Sequence, residues 1–584
     1  MIRYADKKKI LPIVAASIIA TVVILWQMRI WDFDLNVLPG TSGDHLLGIM
    51  TLRSMKENGL RGLWINSRLG APDVSALVDC PFLDLPMAVL GYIFTVIFRS
   101  EVIAYYLLYI ITYPLAAASM CFLMSKLTDK GWINASISVL YAITPYHFWR
   151  GTGHLTLSFY YVIPFGIYCA LVVAEENYTG LFPQKWKNYV GIKVCWILLI
   201  FLVGISNVYY SFFCMIMVLM SIIYKLLIKK TWKVLIYEAC VFYEMAAAFV
   251  IGILPKLIFS LKYGKNTVAC VRLPWESELY GLKIIQLFIP TSLTKSDFLR
   301  NIFLEYTKDG FNINENMAAS LGIAGCVGFV LMCVWVIQKL MLENKPGSRE
   351  DAIITLCSLN TLVLVLYCTT GGFGTIFSYL VTPEIRALNR VSIVIEALAM
   401  VALSVFLVSH CKKVFSITFV VILCLLTFYA DVPSIRALGT QDDVKDDSKM
   451  YSVFFSDIEE QLEENSMVYQ LPMAEFPEYG YVYNMADYSM LRGYLFTDTI
   501  RWSYGGIKGR NDAAKGLNLD NGMSERFVHG LTDNGFSGVY IDTEGYEDGG
   551  AAINNFYQKQ LGLKPLVSDD EKLYFYNITD KFDF

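Results

Sequence analysis

The stretch RIWDFDLNVLPGTSGDHLLG, residues 29–48, follows the first long apolar run of the chain and carries Asp32, Asp34, Asp44 and His45. Further on, NSRLGAPDVSALVDCPFLDLP adds Arg68, Asp79 and Asp84. A carboxylate just outside a membrane span can take a proton from an acceptor hydroxyl. Arg, His or a metal ion can hold a phosphate that leaves a lipid-linked donor. This residue set suits group transfer at the level of the lipid headgroups, with Asp44 and Asp34 as candidate bases. Asp32-Phe33-Asp34 is a D-x-D triplet, a pattern that arises by chance about once in a chain of this length. Asp44 also suits the N-cap of a helix beginning at HLLGIM.

A second constellation is TPYHFWRGTGHLTLSFYYVIPF, which places His147, Arg150 and His154 between two apolar runs. The chain has five histidines, and three of them, His45 included, fall in these two stretches. A guanidinium keeps its charge at any working pH and offers forked donors, so Arg150 suits a phosphate clamp. TPEIRALNR adds Arg386 and Arg390, whose spacing predicts one helical face. Asn207 and Tyr209 sit at a two-residue turn between apolar runs and are candidates to line a cavity. In RGYLFTDTIRWSYGGIKGR, Arg492, Arg501, Lys508 and Arg510 stand among Tyr494, Trp502 and Tyr504, a cluster read here as packing onto the membrane part. Neither H-x-x-x-H nor C-x-x-C accompanies these residues, so zinc has no anchor. P-loop, Rossmann, H-E-x-x-H and G-x-S-x-G motifs are also missing from the sequence.

The elements that must position these residues are mostly membrane spans. Over 584 residues, 55% are hydrophobic and 17% charged, with mean hydropathy +0.47, too apolar for a soluble multidomain chain. Runs long enough to span occur near 10–29, 102–125, 132–148, 155–174, 191–206, 207–228, 239–260, 320–340, 352–370, 391–409 and 413–430. With these eleven spans and a cytoplasmic N-terminus, the lysine-rich loops all fall on the cytoplasmic side, as the positive-inside rule requires. A further run at 82–98, broken by Pro86, would invert that pattern if it spanned, so it is read as an interfacial or re-entrant helix. GDHLLGIMTLRSMKENGL is likewise read as a helix lying on the membrane.

Residues 1–430 thus form a membrane module with two long outer segments, 29–101 and 261–319, the second with a polar tract holding Gly310, Asn312, Asn314 and Asn316. Residues 431–584 form a separate outer domain. It opens on an acidic linker, QDDVKDDSK, and continues as a helix with apolar Tyr451, Phe454, Phe455, Ile458 and Leu462. The strand-like runs MVYQLP, SGVYID and KLYFYNI then alternate with helical stretches, which predicts an α/β fold. This tail is acidic, with 27 Asp and Glu against 13 Lys and Arg, whereas the membrane part is basic. All thirteen cysteines precede residue 431. Cys80 and Cys270 could pair outside the membrane, but the reading favours free thiols.

The order of parts, an acidic first outer loop, interfacial helices, a many-span bundle and an outer domain, resembles the GT-C superfamily of integral membrane glycosyltransferases. GDHLLG, RLGAP, PYHFWRGTGHLTLSFYYVIP and IRALNR resemble, more narrowly, its bacterial YfhO-like envelope members, and RWSYGGIKGR is similar to tails of such proteins. The resemblance implies a plasma-membrane enzyme with an extracytoplasmic tail. It would move a sugar from a polyprenyl-phosphate donor to an envelope glycopolymer or glycolipid, with no nucleic-acid partner. The role of base falls on Asp44 or Asp34, and substrate contacts on Asp32, His45, Arg68, Asp79, His147, Arg150, His154, Asn207, Arg386 and Arg390. The loop lacks the adjacent acidic pair of better-known members, and any metal would be a divalent cation, Mg or Mn. Two rival classes are a transporter or flippase of a lipid-linked saccharide and a non-catalytic polymer-binding membrane protein. Charges inside the spans are few, chiefly Glu244, Lys256 and Glu396, which speaks against transport.

Overall fold

The computed structural model describes residues 7–80, 84–175, 189–230, 238–309, 315–341, 348–434, 441–510, 513–518 and 520–579. Each of the eleven expected apolar runs contains a helix. Eight helices are long and apolar enough to cross a membrane: Lys9–Gln27, Glu101–Leu127, Val208–Ile228, Ala239–Tyr263, Gly322–Met341, Arg349–Cys368, Leu388–Ser409 and Lys413–Ala430. The chain is a multi-pass membrane protein. The other three runs give shorter helices, Gly131–Ala142, Val162–Ala174 and Val190–Ile205. Gly131–Ala142 ends just before Pro145, which starts a new helical segment, and Val162–Ala174 holds Pro164 in its first turn, because proline suits a helical first turn and breaks an interior.

The Ser392–Ser409 helix is the hub, buried along nearly its whole length and packed against Gly322–Met341 and Arg349–Cys368. Close approach there depends on glycine: a Cβ on Gly328 would lie 2.4 Å from the Ala399 carbonyl, and one on Gly325 would lie 2.9 Å from Glu396. Where lipid removes the hydrophobic drive between helices, such small residues permit the backbone contact that holds them.

The first long segment, 29–101, contains helices that pack against other parts of the protein. Asp44–Asn58 buries Leu46, Ile49, Met50, Leu52 and Met55, and it packs against Leu85–Phe98, Glu101–Leu127 and the tail helix Leu491–Phe496. The 82–98 run gives the Leu85–Phe98 helix, capped by Asp84 accepting from Met87 N at 2.9 Å.

In the tail, the acidic stretch expected as a linker is itself helical within Asp442–Glu460, where Tyr451, Phe454, Phe455 and Ile458 turn inward. The strands are β1 Met467–Leu471, β2 Arg501–Trp502, β3 Phe536–Asp542, β4 Leu566–Val567 and β5 Leu573–Asn577, ordered β2-β1-β3-β5-β4. β1 runs parallel to β2 and β3, and β5 runs antiparallel to β3 and β4. Beyond β2 the sheet is extended by the first outer segment: Trp502 N donates to Arg68 O at 2.8 Å, and Ala71 N donates to Trp502 O at 3.0 Å. The tail therefore shares a sheet edge with the membrane module. A Cys80–Cys270 disulfide joins the two long outer segments, contrary to the free thiols favoured from sequence. Their separation of 190 residues hides a pairing that only folding brings about.

Candidate active site

Asp44 begins its helix, and the N-cap is Gly43, with φ 65, not Asp44. The carboxylate is thereby free of capping duty while still at the positive end of the helix dipole. It lies 3.0 Å from His154 Nδ1. A carboxylate can only accept, so Nδ1–H donates, and the other Asp44 oxygen stays open for a proton from outside. Both side chains are partly exposed. His45 lies against them, its Nδ1 buried without a partner among the described residues. Burial pushes the His45 imidazole below its ordinary value, Asp44 pulls it back, and His154 lowers it again. Its ring is accommodated because position 40 is glycine, since a Cβ there would lie 2.6 Å from it.

One turn away stands a cationic pair. His154 N donates to Arg150 O at 3.0 Å, so the two halves of the site belong to one short segment. Arg150, 2% exposed, donates from Nη1 to Glu315 Oε2 at 3.4 Å, and Arg390 Nη2 donates to the same oxygen at 3.1 Å. Each guanidinium lies near a tyrosine ring, Arg150 5.3 Å from that of Tyr146 and Arg390 4.4 Å from that of Tyr209. Burial drives the Glu315 carboxyl up, but Arg390 and Arg150 outweigh it and hold the group at about 2. Two guanidiniums on one carboxylate leave an excess positive charge, and the Nε atoms of both arginines are buried without a partner among the described residues. That is an anion site in electrostatic terms.

No family model and no curated protein matches the sequence. Among solved structures, the arabinofuranosyltransferase AftD from Mycobacteria aligns over 97% of this chain and 40% of its own, at 12% identity and TM-score 0.51. The fold is that of the GT-C glycosyltransferases. The Archaeoglobus fulgidus oligosaccharyltransferase in its apo form gives TM-score 0.46 at 11% identity, over 91% of this chain and 70% of that one. ArnT from Cupriavidus metallidurans bound to undecaprenyl phosphate gives 0.43 at 10% identity, over 96% and 97%. The fold likeness to AftD spans 40% of that protein's length.

Within the GT-C fold the remaining candidates part company. Arg386 pairs with Glu276 and lies 5.0 Å from the Tyr280 ring centroid, at the edge of the cationic region. Residues 382–387 are not helical and Leu388–Val391 is a short 3-10 turn, so Arg386 and Arg390 do not share a helix face as their spacing predicts. Asn207 caps the Val208–Lys229 helix, accepting from Tyr209 N at 3.0 Å and donating to Thr156 O at 3.2 Å. That sets the Tyr209 ring beneath Arg390. His147 is fully buried, hydrogen-bonded to Thr112, Ala142 O and Tyr160 and stacked on Tyr113 at 3.7 Å. Both its nitrogens are occupied by packing. Arg68 donates to Glu57, Ile500 O and Thr497 O. Asp79 holds Arg510 through two bonds of 2.6 and 2.8 Å. Both pin the tail. Asp32 forms an exposed pair with Arg29.

Asp34 lies elsewhere. Its carboxylate accepts from Asn36 N and Nδ2, and the Asn36 backbone bond is the main reason it is held below its ordinary value. It borders a cavity of about 340 Å³ with Glu101, Lys445 and Lys449. Of the two aspartates offered as bases, only Asp44 meets His154. Glu315 escaped sequence reading because its partners lie 165 and 75 residues away. Of the polar tract around it, Gly310, Asn312 and Asn314 lie outside the described residues.

Proposed function

We propose that the protein is a membrane glycosyltransferase that moves a sugar from a polyprenyl-phosphate-linked donor to an envelope glycopolymer or glycolipid on the outer face. The observation that carries this reading is the pair of arginines, Arg150 buried and Arg390 part-buried, on one carboxylate, one turn from the Asp44–His154 pair. The acceptor hydroxyl gives its proton to Asp44, whose charge His154 steadies through Nδ1–H. The acceptor oxygen bonds to the anomeric carbon as that carbon's bond to the phosphate oxygen breaks. The bonding pair leaves with the phosphate, and Arg150 and Arg390 offset the charge it gains. AftD, by its name an arabinofuranosyltransferase, supports the reaction class through its fold. The Cys80–Cys270 bond supports an oxidising outer compartment for both long segments.

Among the described residues no three His, Cys, Asp or Glu side chains converge. No step here runs through a metal ion.

The test is purified protein in liposomes given a polyprenyl-phosphate sugar and candidate acceptors, with no gradient or ATP. Release of free polyprenyl phosphate with glycosylated acceptor supports the reading. Intact donor recovered from the opposite leaflet overturns it in favour of a transporter.

A further inference from the structure

The tail segment Glu478-Tyr479-Gly480-Tyr481-Val482-Tyr483 carries three tyrosines at every second position, and they are 47%, 74% and 54% exposed. No packing reason keeps them there: Val482 between them turns partly inward while the rings stand in solvent. The segment is nevertheless held firmly. The Asp487 carboxylate accepts the backbone N–H of Tyr488 at 3.0 Å. Val482 and Met485 exchange two backbone bonds of 3.0 Å, and Asn484 N donates to Glu544 O. Glu478 takes both ends of the Arg272 guanidinium at 2.7 and 2.8 Å. Tyr483 and Glu478 adopt φ of 56 and 57, the left-handed region that bulky residues avoid. Such conformations persist where surrounding bonds over-determine them, and they concentrate at ligand sites.

The position of the segment indicates what it meets. The Asp487 carbonyl accepts from Gly43 N at 2.9 Å, so the loop that carries the tyrosines is bonded to the residue before Asp44. Tyrosine offers a flat apolar face and a hydroxyl at small conformational cost. That combination fits the C–H faces and hydroxyls of a sugar ring. The segment's own charge is acidic, its neighbour Arg272 is paired with Glu478, and the Lys508 ammonium donates to Glu478 O at 2.9 Å.

We infer that Tyr479, Tyr481 and Tyr483 form a stacking strip that holds the saccharide acceptor and leads it to Asp44. This rests on the transferase reading above.

The test is full-length protein in nanodiscs, probed on an array of immobilised bacterial oligosaccharides, with Y479A/Y481A/Y483A, the matching triple Phe variant and Asp44→Asn alongside. Wild type and Asp44→Asn should retain the same saccharides, triple Phe should keep most of the binding, and triple Ala should bind about tenfold more weakly or worse. Unchanged circular dichroism keeps a folding defect apart from lost binding. Equal retention by wild type and triple Ala, or no saccharide retained by any form, overturns the strip. So does a spin label at Tyr481→Cys, in a background without other exposed cysteines, that oxygen relaxes and a water-soluble nickel chelate does not, because the strip would then lie in lipid. Saccharide bound through the tyrosines by a protein that never consumes donor would leave the strip standing and overturn the transferase reading.

Discussion

At the scale of single residues, the proposed mechanism divides a proton acceptor from a charge holder. Asp44→Asn keeps shape and removes only the acceptor, so transfer should fall by a factor of about 100 to 10,000 with fold and expression intact. Turnover by purified Asp44→Asn and Asp34→Asn checks this. Only the Asp44 variant should fail, because Asp34, whose Oδ1 accepts both Asn36 bonds, does not meet His154 as Asp44 does. Arg150→Ala should lower turnover more than donor affinity, since the guanidinium acts mainly on charge that develops as the bond breaks. A Lys replacement should restore part of the activity, lacking the fork; steady-state kinetics with separate donor binding distinguishes the two effects. Glu315 sets a pH window. Its folded value lies at about 2 against an ordinary 4.5, so its ionised form stabilises the fold fully above pH 4.5. That contribution is lost as pH falls from 4.5 through 2. The melting-temperature gap between wild type and Glu315→Gln should therefore be flat from pH 5 to 8 and shrink below 4.5.

At the scale of elements, the Asp44–Asn58 helix is held from both sides. Its Arg53 donates to Glu101 at the head of a span at 2.9 Å, and to Leu495 O and Thr497 O in the tail at 2.8 and 2.6 Å. Burial costs this guanidinium, and Glu101 and Glu57 more than offset the cost, so it stays charged. Arg53→Ala would strand buried carboxylate and carbonyl oxygens, a loss of about 3–5 kcal/mol for a broken buried pair. Limited proteolysis and thermal melting in detergent should show the tail loosening first. The helix itself was legible from HLLGIM and its surroundings, but its placement was not. Its apolar residues fit a lipid surface and a protein interior equally well.

At the scale of the whole molecule, one disulfide and one shared sheet edge bring the first outer segment, the second and the tail together. Cysteines introduced near residues 60 and 520, with Cys80 and Cys270 kept and the other cysteines removed, should both react with an impermeant reagent added outside. Labelling of only one would contradict a shared outer face. Peptide mapping under non-reducing conditions should recover residues 80 and 270 in one cross-linked fragment.

What the sequence determined by itself was local or repetitive. Runs of apolar residues specify spans because the bilayer core satisfies no backbone group outside a helix. The alternation of MVYQLP, SGVYID and KLYFYNI with helical stretches specifies the tail sheet: β1 and β5 lie within their runs, and β3 covers SGVYID and the residue before it. Residue type also offered Asp44, Arg150, His154 and Arg390, but alongside Asp32, Asp34, Arg68, Asp79, His147 and Arg386 and without ranking them by partner. Tertiary structure alone decided their partners. His147 and His154 share one short segment, yet one ring is locked in the core and the other reaches Asp44, 110 residues away. Glu315 joins Arg150 and Arg390 from a third region of the chain. Hydrogen-bond partners are set by distance in space, and a single sequence records only distance along the chain.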